Sequence, residues 1–184
     1  MTSHESLTPS AWVARWAELI APGGRVLDVA AGSGRHSRWF GARGHPVDAV
    51  DRNEEAIAGL AMLGGINAVC ADIEAGDWPF PAHVYAAVCV TNYLHRPLLP
   101  TLVDALAPGG VLIYETFAVG NERYGRPKNP AFLLQPGELL EAIRGRLRVV
   151  AYENVTVTEP RPACVQRICA TAIRDSALGV QSPD

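Results

Sequence analysis

The chain has 184 residues, 48% of them apolar, with sixteen Lys plus Arg against nineteen Asp plus Glu for a formal charge of −3. That length suits one domain spanning 1–184 that buries its own core without metal or disulfide staples, and the missing excess of positive charge argues against a nucleic-acid partner. Cys70, Cys89, Cys164 and Cys169 include no C-x-x-C pair and have no His at finger-like spacing. The sequence therefore predicts no metal site and no disulfide framework, but the reduced thiols of a cytoplasmic protein. No apolar run approaches the roughly 20 residues of a membrane span, and the start of the chain lacks the basic-then-apolar order of a signal peptide.

Residues 8–20 place Trp12, Val13, Trp16, Leu19 and Ile20 at helical spacing, which predicts an amphipathic opening helix with Thr8 as cap and Pro9 in its first position. The two tryptophans read as packing residues, with a lid over a site as the alternative. Pro22-Gly23-Gly24 breaks the helix, and Arg25–Ala30 follows as a buried strand. A glycine-rich turn from Gly32 leads into a helix over Arg35–Arg43, closed by Gly44. Pro46–Asp51 is the next strand, followed by a helix capped by Asn53 with Glu54 and Glu55 in its first turn. Ala68–Asp72 and Tyr85–Thr91 read as strands joined by a Pro- and Gly-bearing link too short for a full helix. Leu98–Leu106 predicts a helix ended by Pro108-Gly109-Gly110, before the strand Val111–Glu115.

Beyond Glu115 the pattern changes. Residues 120–135 begin with Gly, Pro, Arg123, Arg126 and Lys128 and no periodicity, as expected of a substrate loop. Pro136–Arg144 is a last helix, Leu147–Val157 and Cys164–Ile173 an antiparallel pair, and 176–184 a flexible tail. The whole predicts an α/β fold with a doubly wound seven-stranded sheet, mostly parallel with an antiparallel terminal strand, binding its ligand beyond the carboxyl ends of the strands.

The candidate site residues fall at those ends. Asp28-Val29-Ala30-Ala31-Gly32-Ser33-Gly34 closes the first strand, and a side chain at 32 or 34 would keep a ligand from the backbone. Asp51 closes the second strand nineteen residues after Gly32, where a carboxylate can accept both hydroxyls of a ribose. Asp72 closes the third and can accept from the amine of a base while Ile73 packs on its plane. A dinucleotide fingerprint is incomplete, because its third glycine position holds Ser37.

This acid-x-Ala-x-Gly-x-Gly run, with Asp51 and Asp72 on successive strand ends, resembles the class I S-adenosylmethionine-dependent methyltransferases from residue 9 to 173, whose sheet is Rossmann-like. Gly34-Arg35-His36-Ser37, Asn92-Tyr93-Leu94-His95-Arg96-Pro97 and Pro136-Gly137-Glu138-Leu139-Leu140 look most like the small tellurite-resistance and thiopurine-type enzymes. The resemblance implies S-adenosyl-L-methionine as cofactor, held by Asp28, Ala30, Gly32, Gly34, Arg35, Asp51, Arg52, Asp72, Ile73, Thr91 and Asn92. It implies a small-molecule acceptor (a thiol, a chalcogen oxyanion or a hydroxyl) methylated by in-line displacement in a monomer or homodimer with no membrane partner.

Several roles stay open at this level. Asp28 either caps the glycine turn or meets the cofactor, and Arg35 either pairs with the methionine carboxylate or is solvated. His95 and Tyr93 are the catalytic candidates, His95 as a general base or as a residue that merely bonds backbone. Glu115, Phe117, Arg123, Tyr124 and Arg126 are the substrate candidates, suited to an anionic or planar molecule. A non-catalytic S-adenosylmethionine-binding regulatory module is the alternative function.

Overall fold

The computed structural model describes residues 8–173; the tail expected at 176–184 lies outside them. Seven strands form one sheet: β1 (Val26–Val29), β2 (Val47–Asp51), β3 (Ile66–Cys70), β4 (Tyr85–Thr91), β5 (Leu106–Phe117), β6 (Leu147–Val157) and β7 (Ala163–Ala172). Their order is β3-β2-β1-β4-β5-β7-β6. β7 alone runs against its neighbours, pairing antiparallel with β5 and β6, while the pairs among β1 to β5 are parallel. The expected mostly parallel sheet is what forms.

Helices cover both faces, so the central strands are apolar on both sides. Trp12 and Val13 of α1 (Ala11–Trp16) and Phe40 of α2 (Arg35–Gly41) pack with Val26, Val47, Cys89 and Ile113. Residues one position away, Leu27, Val88, Val90 and Leu112, face the other way toward Leu102 and Val103 of α4 (Leu99–Asp104) and Leu139 and Ile143 of α5 (Glu138–Ile143). Ile57 and Leu60 of α3 (Glu54–Ala61) close over Ala49. Trp12 is core, its indole N–H donating to the Ile168 carbonyl.

Several boundaries differ from the sequence expectation, and at α1, β3 and β5 the local reason is visible. Ser10, not Thr8, caps α1, its Oγ accepting from the Trp12 N–H at 3.1 Å, and the helix gives way to a 3₁₀ turn at Ala17–Leu19. β3 ends at Cys70 because Asp72 folds back to accept from the backbone N–H groups of Glu74 and Ala75, a turn that competes with the strand ladder. β5 already begins at Leu106. Pro108-Gly109-Gly110 lies inside it, where the register against β4 shifts between Tyr85 and Ala87, and a Cβ on Gly110 would sit 2.6 Å from the Tyr85 carbonyl oxygen.

Candidate active site

The direction of chain progression reverses between β1 and β4, which opens a crevice beyond their carboxyl ends. The turn after β1 is held by two carboxylates. Asp28 is buried beneath it and accepts from Ser37 Oγ at 2.5 Å, so the residue occupying the third glycine position serves as this carboxylate's partner. Burial raises the Asp28 pKa to about 6, against the opposing pull of that hydrogen bond. Asp51 accepts from the Gly32 N–H through Oδ2 at 2.8 Å and from the Asn53 N–H through Oδ1 at 2.9 Å, tying the β1 turn to the end of β2.

The two glycines have different reasons. At Gly32 (φ +55) a Cβ would meet nothing within 4 Å, so the position faces open space, whereas at Gly34 (φ +79) a Cβ would lie 2.3 Å from Leu60 Cδ2. Gly34 thus admits α3 rather than a ligand, which narrows the sequence reading. Ala30 at φ +53 and Asn92 at φ +55 are also left-handed, conformations that cost a non-glycine residue about 1 kcal/mol or more and gather at functional sites.

Two adjoining cavities occupy the crevice. One, of about 340 Å³, is lined by Asp51, Arg52, Asp72, Ile73 and Tyr93 on one side and by Thr116, Phe117, Pro127 and Phe132 on the other. The second, of about 260 Å³, is lined by Gly32, Ser33, Arg35, His36 and Thr91, and shares Ala30 and Asn92 with the first. The Tyr93 hydroxyl is buried with no hydrogen-bond partner among the described residues.

His36, a residue outside the candidate set, joins the second cavity to α1. Its Nε2 accepts from the Ser10 N–H at 3.1 Å and its Nδ1 lies 3.4 Å from Thr91 Oγ1. Burial, with Arg35 beside it, lowers its pKa to about 3. Because the unfolded imidazole titrates near 6.5, the neutral form is the one that folding selects, and its stabilisation is present above that value and lost as pH falls toward 3. The stability gap between wild type and His36→Asn should therefore shrink by about 1.4 kcal/mol per pH unit below pH ~6, read from urea midpoints at several pH values. A gap independent of pH contradicts the neutral assignment.

The rim residues divide. Phe117 lines the larger cavity, and Arg126 lies in an open neighbour of about 440 Å³ that shares Pro127 and Phe132 with it. Arg123 and Tyr124 line neither, and Tyr124 is exposed on the 3₁₀ turn Asn121–Arg123 and its cap. Glu115 is committed elsewhere: it accepts from Ser10 Oγ at 2.6 Å and from Arg167, which also bridges to Glu153. His95 is outside the cavity lining, with Nδ1 3.7 Å from Glu74 Oε2. Arg96 beside it does the anchoring, donating to Glu138 and to the carbonyls of Ala131 and Leu133. Asn121 pins the loop from within, donating to the Pro127 carbonyl and accepting from the Cys164 N–H. Pro127 and Phe132 lie in the loop expected to meet substrate, whereas Thr116 and Glu74 carry no sequence signal and line the cavity only through the fold.

Residues 26–110 match a family model described as a methyltransferase domain. Over that stretch the chain is similar to this family. Its fold is shared with an S-adenosylmethionine-dependent methyltransferase from Mesorhizobium loti (19% identity, TM-score 0.70, covering 90% of this chain and 100% of that one). It is also shared with TehB from Haemophilus influenzae (19%, 0.74, 92% and 64%) and a TehB-like S-adenosylmethionine-dependent methyltransferase from Corynebacterium glutamicum (18%, 0.65, 90% and 89%). No curated protein sequence matches the chain. The resemblance to S-adenosylmethionine-dependent methyltransferases, including those of the tellurite-resistance type, is thereby supported. The cofactor of this class fits the residues present: Gly32, at φ +55, leaves its face toward the second cavity open, and Asp51 and Asp72 both line the larger cavity.

Proposed function

We propose that this protein transfers a methyl group from S-adenosylmethionine to a small acceptor. The observation that carries the reading is the pair of joined cavities, polar and glycine-floored on one side and aromatic on the other, meeting at Ala30 and Asn92. When bound, S-adenosylmethionine supplies an electrophilic methyl group on a positively charged sulfur. Asp51 is suited to accept from the ribose hydroxyls while its grip on Gly32 keeps the turn open, and Asp72 and Ile73 to take the adenine edge and face. Ala30, Arg52 and Asn92 shape the same wall, while Gly34 lets α3 pack against the turn and Asp28 acts from below by holding it.

Thr116, Phe117 and Phe132 flank the acceptor side across from Tyr93, so that rate comes mainly from alignment of donor and acceptor. The adenosine and the acceptor would share this cavity of about 340 Å³, a size that suits a small molecule. A thiol or chalcogen oxyanion attacks without a strong base. A hydroxyl needs one, and His95 sits behind Glu74 rather than at the cavity. The reading therefore favours the first two acceptors, and His95→Asn should leave kcat within about threefold. A hundredfold loss, the scale of general-base catalysis, would move the assignment to a hydroxyl acceptor.

Among the described residues no helix is long and apolar enough to cross a membrane; we place the enzyme in the cytoplasm, acting as one domain in a monomer or homodimer. Separate titrations with S-adenosylhomocysteine and with reduced nicotinamide dinucleotide test the cofactor. Binding of the first alone is expected, and binding of the second alone overturns the proposal. Cofactor binding without release of S-adenosylhomocysteine on any thiol, oxyanion or alcohol would favour a regulatory module.

A further inference from the structure

Ser10 meets three elements at once. Its Oγ accepts from the Trp12 N–H to cap α1 and donates to Glu115 Oε1, while its own N–H donates to His36 Nε2. Glu115 is fixed in turn by Arg167, whose guanidinium lies over the Trp12 ring at 4.7 Å from its centroid. The donor aimed at His36 is therefore held by a network that touches neither cavity.

An imidazole nitrogen that accepts a hydrogen bond carries no proton, so a neutral ring has its single N–H at the other nitrogen. For His36 that is Nδ1, the atom 3.4 Å from Thr91 Oγ1. A hydroxyl has one hydrogen to give and lone pairs to receive. With a lone pair of Thr91 turned to Nδ1–H, its own hydrogen is available to the cavity that Thr91, His36 and Arg35 line together. Asp28 and Cys89 are also close to the His36 ring, but among the described residues it is Thr91 that lies within hydrogen-bond reach of Nδ1, and burial keeps the Cys89 thiol protonated.

We propose that Ser10 is a positioning residue for this cavity: by occupying His36 Nε2 it fixes the ring proton on Nδ1, so that Thr91 presents its hydroxyl hydrogen beside Arg35 as a donor to a carboxylate. The inference rests on S-adenosylmethionine as the ligand, whose amino-acid end carries that carboxylate.

S-adenosylhomocysteine and 5′-methylthioadenosine, which lacks the amino-acid portion, separate this role from general loss of structure. Ser10 has φ −53, close to the value proline imposes, so Ser10→Pro removes the N–H with little backbone strain, and Ser10→Ala keeps the N–H while removing Oγ. Ser10→Pro and Thr91→Val should each weaken S-adenosylhomocysteine about tenfold, a typical charged hydrogen bond, and change 5′-methylthioadenosine less than about twofold. Ser10→Ala should fall well short of that selective loss. Two-bond ¹H–¹⁵N spectra of wild type should show His36 protonated at Nδ1. Equal losses for both ligands, an unchanged S-adenosylhomocysteine affinity in Thr91→Val, or an Nε2–H ring overturns the inference. Wild type that binds neither ligand overturns the cofactor reading itself.

Discussion

Asp51→Ala lowers the affinity for S-adenosylhomocysteine by about 30-fold or more, with the fold intact. Two losses add. The first is the ribose acceptor at the end of β2, a charged hydrogen bond of about 1.5–3 kcal/mol. The second is the grip on the turn: without the carboxylate the Gly32 and Asn53 N–H groups lose the acceptor that bridges β1 to α3, and the turn is held only by Asp28 from below and by its own backbone bonds. Asp51→Asn should fall between, since the amide oxygen replaces one acceptor and its NH₂ faces a donor in place of the other. Calorimetric titration of both variants, beside their urea midpoints, distinguishes loss of the site from loss of the fold. An affinity within threefold of wild type for Asp51→Ala contradicts the role given to this residue.

Asp48→Ala has the largest effect on stability and none on the ligand. Asp48 is buried near the start of β2 and accepts from Arg25 Nε and Nη2 at 2.8 and 2.9 Å, from Asn67 Nδ2 at 2.8 Å and from the Tyr85 hydroxyl at 2.6 Å. Burial alone would raise its pKa, and these donors outweigh it, leaving the carboxyl below its ordinary value. Arg25 is half exposed and returns to water when its partner goes, but the Tyr85 side chain is fully buried and its hydroxyl is stranded. Because the guanidinium left behind is solvated, the cost comes mainly from the orphaned hydroxyl, about 1–3 kcal/mol, with the lost Asn67 bond beside it. In a Tyr85→Phe background the same substitution should cost at least about 1 kcal/mol less. Since the network lies at the other end of the strands from Gly32, S-adenosylhomocysteine affinity should not change. Additive single and double variants would show that Tyr85 and Asp48 do not depend on each other.

How far these roles can be read in the sequence depends on the range over which each is decided. The bounds of β6 at Leu147–Val157 follow from its residues and the Glu159-Pro160-Arg161-Pro162 turn, and Asn53 caps α3 through Ala56 as its spacing implies. Asp51 closes β2, and Asp72 and Ile73 follow β3 within three residues, so all three were legible as lining of the crevice. What was not legible is set by tertiary partners. Glu115 has the same sequence signal as a substrate residue, yet contacts 105 and 52 residues distant, to Ser10 and Arg167, commit it to the network. His36 reads as a misplaced basic residue at a helix start until the Ser10 N–H, 26 residues away, shows why it is neutral. Gly34 looks like Gly32 in the sequence, and only the position of Leu60 separates a packing glycine from a site glycine.

Methyl transfer to a small molecule is tested most directly by supplying S-adenosylmethionine labelled in its methyl group to the protein with a low-molecular-weight cell extract, followed by mass spectrometry. A labelled small-molecule product should form in step with S-adenosylhomocysteine, be lost in Asp51→Ala and be retained in Asp48→Ala under conditions where that variant is folded. Label appearing in no small molecule while wild type binds the cofactor would contradict such a transfer.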